Sequence, residues 1–458
     1  MRYLIGLVLF AALVAGGLFL YAGRLPGPTI EIAKPAKYVG QTTTVEVTLR
    51  APGTKWVGDF QIAFEQGGKQ TPLVSFASPG TAEIKQEGDL VRVTRTFDRG
   101  TIPDLKSGPA RIVVTAERPV LFGMRKAKST ASRDVQVRLE KPAIAVLSTK
   151  HYINRGGSEM VVYRATPADI ESGVQVGDVK YPGYPASGAK LEGVHIADPA
   201  VRIAFIALRY DQDVNTPMFA YASDEAGNSA RADFDRLTFP KPFKKSRIEL
   251  PEPFLNRVVP AILATTTEVN PQGTNLEKFL VLNGELRRKN AEKIASFAPQ
   301  SAPEILWGGA VFHPFTNTAV ESAFADARTY VYDGKEVDHQ THLGFDLARV
   351  VNSPIVAANR GKVVYAEPLG IYGNCVILDH GMGVQSLYAH LSSMGVQVGQ
   401  MVEKEQELGK SGMTGLAGGD HLHFTMLVNG QMVNPVEWWD AHWIQDRILR
   451  KLREASGS

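Results

Sequence analysis

The 458-residue chain has a single cysteine, Cys375, so no disulfide can form within it. Exported proteins without disulfides are ordinary, so this scarcity leaves the compartment open. Cys375 sits in Asn374-Cys375-Val376-Ile377-Leu378, a buried-strand pattern, and is read as a small core residue. Net charge is scarce too: 50 basic against 47 acidic residues leave +3. That gives no argument for nucleic acid or for a strongly charged partner. Histidine is sparse, with ten in all, yet eight of the ten fall after residue 300. Turn formers are plentiful, 43 glycines and 27 prolines, which favours β-rich domains over helical bundles. A chain this long exceeds one ordinary core, and two to four domains are expected.

Residues 3–23 carry no charge and are flanked by Arg2 and Arg24. As a helix this run reaches about 30 Å, the thickness of a bilayer core. A cleaved signal peptide is the rival, but its apolar region spans roughly 7–15 residues and ends in a small-x-small site. Tyr21-Ala22-Gly23 fits that poorly, so residues 1–24 are read as an uncleaved transmembrane anchor. Either way the remainder is exported, although Arg2 and Arg24 oppose each other in setting orientation. Residues 25–140 alternate, as in Thr44-Val45-Glu46-Val47-Thr48-Leu49, and predict a β-sandwich. Residues 141–240 read as a second β domain. There Ala222-Ser223-Asp224-Glu225-Ala226-Gly227-Asn228 resembles a hairpin turn of bacterial immunoglobulin-like domains. Asp224 and Asn228 are read as a turn bonding its own backbone in preference to a calcium loop.

Residues 241–304 read as a basic, proline-punctuated linker followed by a helical connector. Thr274-Asn275-Leu276-Glu277 is a capping box, with a helix from it to about Ala295. Residues 305–437 return to short strands. In 438–458, Ile444, Ile448 and Leu452 recur every four residues and predict an amphipathic helix. The fold class is therefore mainly β: two N-terminal β-sandwich (immunoglobulin-like) domains, a helical connector, and a C-terminal antiparallel β domain.

Chemistry-bearing residues gather in 305–437. His342 and Asp346 are four apart, and His421 and His423 two apart; on a strand both spacings share a face. His390, in Tyr388-Ala389-His390, lies between them. Leu422 and Phe424 would then pack into the core behind. Imidazole nitrogens and a carboxylate suit zinc, and three protein ligands with an open fourth position are the catalytic form of such a site. Spacing alone does not divide ligands from non-ligands. Of the remaining histidines, His339 is read as loop surface, His380 as a hairpin turn, and His313 and His442 have no partner pattern. Arg328 and Tyr330 are read as a structural ion pair and a core tyrosine, with substrate contact the rival. Gly418 and Gly419 let a peptide backbone approach closely.

These motifs together carry a resemblance. They are Arg328-Thr329-Tyr330, His342-Leu343-Gly344-Phe345-Asp346, Tyr388-Ala389-His390-Leu391, Gly409-Lys410-Ser411-Gly412-Met413-Thr414-Gly415, His421-Leu422-His423-Phe424 and Val433-Asn434-Pro435. Residues 305–437 resemble the lysostaphin/LytM family of zinc metallopeptidases, which cut peptide bonds in bacterial cell-wall peptidoglycan. The resemblance implies a two-layer antiparallel β fold with an open groove. It implies one Zn2+ per chain, held by His342, Asp346 and His423. His421 would then be the base, and His390 would stabilise the oxyanion and deliver a proton. The implied partners are peptidoglycan stem peptides and, through residues 3–23, the cytoplasmic membrane, with the bulk of the chain periplasmic. The absence of a recognisable wall-binding repeat module points to the D-alanyl–diaminopimelate link. Two rivals stand beside this: a non-catalytic LytM-like activator of other wall hydrolases, and a scaffold that meets envelope proteins through the β domains.

Overall fold

The computed structural model describes residues 2–51 and 58–457; Met1, residues 52–57 and Ser458 lie outside the described residues, within the expected anchor, first β domain and C-terminal helix. Contacts divide the chain into two units, Met1–Pro142 with Ser223–Ser229, and Ala143–Ala222 with Ala230–Ser458. The fold is mainly β, as expected.

In the first unit the uncharged run forms the helix Arg2–Ala22, of which Ile5–Ala22 is long and apolar enough to cross a membrane. Beyond it, a four-stranded and a five-stranded sheet close over one apolar core. The strand Thr42–Arg50 shows how the sequence directs this: Val45, Val47 and Leu49 are buried while Thr44, Glu46 and Thr48 stay half-exposed. The Asp224–Asn228 turn bonds itself as read, with Asn228 donating its backbone N–H to Asp224 Oδ1 at 2.8 Å and its side-chain amide to Oδ2 at 3.0 Å.

In the second unit an eight-stranded sheet carries the site. Its order is Ala319–Ser322, Phe345–Ala348, Leu422–Val428, Val384–Leu391, Asn374–Gly381, Gly361–Pro368 and Met401–Val402, with Gln431–Val433 pairing on Leu422–Val428. Beside it lies a three-stranded sheet of Lys245–Glu249, Asp326–Tyr332 and Lys335–His342. Lys245–Glu249 falls within the stretch read as linker, and it pairs parallel to Asp326–Tyr332 with Ser246 opposite Arg328. The capping box forms: Glu277 N–H donates to Thr274 Oγ1, and Thr274 N–H to Glu277 Oε2 at 2.7 Å. The helix continues from Asn275 to Ala295 through a π turn at Leu282–Leu286. It buries Phe279 against the Tyr330 ring at 5.8 Å, so Tyr330 is the core tyrosine expected.

The tail braces the site from behind. Ile444, Ile448 and Leu452 are buried, as their spacing predicts. Trp439 packs 5.1 Å from Phe345 and 6.1 Å from Phe424, the neighbours of Asp346 and His423. Glu437 accepts from Ser158 N–H at 2.7 Å and from Asn154 Nδ2 at 2.9 Å. Lys451 pairs at 2.7 Å with Glu159 on the strand Ser158–Thr166, and both side chains are fully buried. Two histidine readings change. His380 is a fully buried residue of the strand Asn374–Gly381, since the turn comes after it, at Met382-Gly383. His339 is exposed as expected, but on the strand Lys335–His342. Cys375 is buried in the core, which pushes its thiol pKa up.

Candidate metal centre

Asp346 stands directly opposite His423 in the antiparallel ladder, so the two side chains share one face. His342 arrives differently from expected. It ends the strand Lys335–His342, and Leu343-Gly344 carry the chain into the other sheet before Asp346. The two residues therefore converge by a sheet crossing, and strand alternation is not the reason. His421 lies just before the strand Leu422–Val428, at a bridge to Gly412, and keeps to the face of His423. Leu422 and Phe424 are fully buried on the other side, as expected.

His390 would be misplaced by alternation. Ala389 is the residue opposite His423, which directs the next side chain to the far face. The backbone at His390 is left-handed, φ 62°, and this breaks the alternation. Its ring comes to 4.9 Å from that of His421 and 5.8 Å from that of His423. Such a conformation costs a non-glycine residue on the order of 1–3 kcal/mol and is over-represented at active sites. The bond from His390 Nδ1 to Thr414 O at 2.8 Å holds it there.

Three donor atoms face one point: His342 Nε2, His423 Nδ1 and Asp346 Oδ1, separated by 2.9, 2.9 and 3.1 Å. Zinc bonds of about 2.0 Å in a tetrahedron separate ligands by roughly 3.3 Å, so the triangle fits such a cation. The hydrogen bonding points the same way. His342 Nδ1 lies 3.2 Å from Ala323 O, a bond it makes by donating, which leaves the Nε2 lone pair toward Asp346 and His423. Buried lone pairs facing a carboxylate oxygen call for a shared cation. His423 Nε2 itself is buried without a partner among the described residues. Burial pushes the His423 imidazole down to about 4, keeping it a neutral donor. Burial pushes Asp346 up, but the surrounding histidines outweigh it and hold the carboxyl well below its usual range.

The two other histidines share an orientation. His421 Nδ1 lies 2.9 Å from Gly419 O and His390 Nδ1 2.8 Å from Thr414 O, so both rings donate Nδ1–H to a carbonyl and turn Nε2 into the site. His421 Nε2 is 3.4 Å from Asp346 Oδ1. Burial lowers His421, yet the bond and charge of Asp346 raise it overall; burial and the neighbouring imidazoles lower His390 well below its usual value. One of the pair thus favours a proton and the other does not.

Four further residues build the site, and the sequence reading passed over the roles of all but Arg328. Arg328, expected as an ion pair, makes one with Asp346 Oδ2 at 2.9 Å and also reaches Ser322 Oγ at 2.8 Å, leaving Oδ1 for the triangle. A Cβ on Gly344 would stand 2.5 Å from His423 Cε1 and Nε2, so only glycine leaves room for that ring. Asp420 ties the loop before His421, accepting from Ser411 Oγ at 2.5 Å and Asn352 N–H at 3.1 Å. Arg257 grips the same loop through Ala417 O at 2.8 Å. The signal for Gly344 was its place between two ligand candidates; the other three depend on contacts distant in sequence. The site opens into a cleft of about 600 Å³ walled by Lys244, Arg247, Arg287, Tyr372 and Leu416.

Residues 340–435 match the family described as Peptidase family M23. The DD-carboxypeptidase/endopeptidase Mpg of Neisseria meningitidis serogroup B is 35% identical over 131 residues, 28% of this chain and 29% of that protein. The peptidoglycan DD-endopeptidase ShyA of Vibrio cholerae is 36% identical over 96 residues, 21% of this chain and 22% of that protein. The match thus spans less than a third of either relative. Among solved structures, the catalytic domain of lysostaphin from Staphylococcus simulans aligns at 28% identity and a TM-score of 0.23, covering 27% of this chain and 92% of that one. With its donor triangle and flanking imidazoles, the C-terminal part of this chain is a peptidase family M23 domain, of the LytM/lysostaphin type.

Proposed function

We propose that the chain is a zinc-dependent endopeptidase that hydrolyses peptide cross-links of bacterial peptidoglycan. The observation that carries this is the triangle of His342, Asp346 and His423 donors within 3.1 Å of one another, beside two imidazoles that turn Nε2 into the site. A zinc ion in such a site brings the pKa of its water to about 7 and polarises a carbonyl. His421 takes the proton of the attacking water at Nε2, where Asp346 favours the charged ring. The proton that His421 takes from the water is the one returned to the leaving amine, and His390, whose Nδ1–H is spent on Thr414 O, would stabilise the developing oxyanion when its Nε2 carries a proton from solvent. Arg328 holds Asp346 in place throughout. The relatives named as DD-endopeptidases support the D-alanyl–diaminopimelate link as the bond cut. The apolar helix Arg2–Ala22 supports a single-pass anchor in the cytoplasmic membrane, with residues 25–458 outside it.

The test is metal content together with digestion of purified sacculi by the full chain in detergent. About one zinc per chain and conversion of cross-linked muropeptides to un-cross-linked ones is the expected result, with product masses naming the bond. His423→Ala is expected to lose both the metal and the digestion. Zinc-loaded chain that leaves sacculi intact would overturn the peptidase reading in favour of a non-catalytic activator.

A further inference from the structure

The cleft presents three guanidinium groups, and one of them has no acid. Arg247 reaches Glu249 at 3.4 Å and Glu336 at 3.2 Å, and Arg328 reaches Asp346. Arg287 pairs with no carboxylate among the described residues, although it is half-buried in the cleft wall. Its position is nonetheless fixed. Asn283, fully buried in the π turn, donates its side-chain amide to Asp338 Oδ2 at 2.7 Å. That bond turns Asn283 Oδ1 toward Arg287, which donates Nη2–H to it at 2.5 Å and Nε–H to the Asn283 carbonyl at 3.0 Å. Two of the five N–H groups are thus spent on neutral acceptors that orient the fork, and three are left. π turns recur at functional sites, and this one sets the angle of the arginine.

The fork is also near the metal centre. The Arg287 charge is felt by the phenol of Tyr372, and the Tyr372 ring lies edge-on, 5.5 Å from the ring of metal-ligand candidate His423. Asn290, one turn further along the helix, accepts the Ile371 N–H at 3.0 Å and ties the helix to the Ile371-Tyr372 wall. A cation held rigidly in a partly desolvated wall without a counter-charge is built for an anion that arrives with the ligand.

We propose that Arg287 is a specificity-determining residue that receives a free carboxylate of the peptide lying in the cleft, close to the scissile amide. Only the identity of the occupant rests on the peptidase reading; the fork, its orientation and its missing acid do not. Substrates are thereby restricted to stem peptides that keep this carboxylate, and amidated stems bind poorly. Lys244, exposed at the same cleft and without an acid partner among the described residues, adds a second, softer positive charge.

The test compares one cross-linked stem peptide with its counterpart amidated at the carboxylate beside the scissile bond. Binding to the full zinc-loaded chain in detergent is measured by calorimetry in a His421→Ala background, and turnover by mass spectrometry with His421 intact. The expected result is a preference for the carboxylate form of about tenfold to a hundredfold. Arg287→Ala abolishes the preference and Arg287→Lys keeps part of it, both at unchanged zinc content. Equal affinity for the two peptides, or the same preference with and without Arg287, overturns the proposal. A preference that depends on Arg287 without any turnover supports the carboxylate site and removes the peptidase reading instead. Should Arg287→Ala lose zinc, Arg287→Gln provides the comparison.

Discussion

The ring of His423 occupies the space where a side chain at residue 344 would begin, so the metal geometry is tied to a hydrogen atom on Gly344. Gly344→Ala is expected to displace the ring and to weaken metal binding by about 10–100-fold, the usual size for a residue that orients a ligand. Competition with a chromophoric chelator measures this. A wild-type affinity would mean that the ring has room to give. A second residue-scale prediction concerns protons away from the metal. His380 bonds to Arg360 O at 2.8 Å and Ser386 Oγ at 2.7 Å, and burial pushes it down to about 4. An unfolded histidine titrates near ~6.5, so this contribution is complete above that pH and is lost as pH falls toward 4. His151, also lowered by burial to about 4, has the same sign. Glu437 runs the other way: burial raises it to about 7, which favours the folded state as pH falls below 7. Between pH 7 and 5, His380→Gln is expected to lose about 2 kcal/mol less stability than wild type, read by urea unfolding at the two pH values. Identical losses would place the titrating proton elsewhere.

Among the elements, the C-terminal helix is held by an ion pair that has no water around it. Burial raises the Glu159 carboxyl and lowers the Lys451 ammonium, so each persists in charged form through the other and through the Met160 and Tyr152 N–H bonds to Glu159. Lys451→Met alone is expected to cost about 3–5 kcal/mol, because a buried carboxylate is left uncompensated; adding Glu159→Leu restores most of it. Thermal melts of the single and double variants decide this, and additive losses would argue against direct coupling. Signals confined to one turn were legible in the sequence: the Thr274–Glu277 box, the Ile444–Leu452 stripe, and the alternation of Thr42–Arg50. The strand Lys245–Glu249 was not. It is five residues long, mostly polar, and stabilised by a parallel partner some eighty residues away. That His342, Asp346, His390, His421 and His423 lie together was legible in the sequence, but not the means that gather them. A crossing at Gly344 and a left-handed backbone at His390 depend on tertiary contacts that override strand alternation.

For the molecule as a whole, the helix Arg2–Ala22 predicts how the protein partitions. The full chain is expected to sediment with membranes, to resist high salt, and to be released by detergent, whereas a chain starting at residue 25 stays in the supernatant. Release by salt alone would exclude a spanning anchor. A different consequence follows from the position of Leu422–Val428, which lies between Phe345–Ala348 and Val384–Leu391 in the sheet though it comes after both in the chain. A middle strand that is synthesised late leaves each of its two neighbours with one edge unpaired until it arrives. Until then the emerging chain holds a split sheet, with Asp346 on the Phe345–Ala348 side and His390 on the Val384–Leu391 side. The donor triangle is completed by the insertion of one strand bearing His423, so any metal affinity of the three donors begins as a single late event and does not accumulate as the chain emerges.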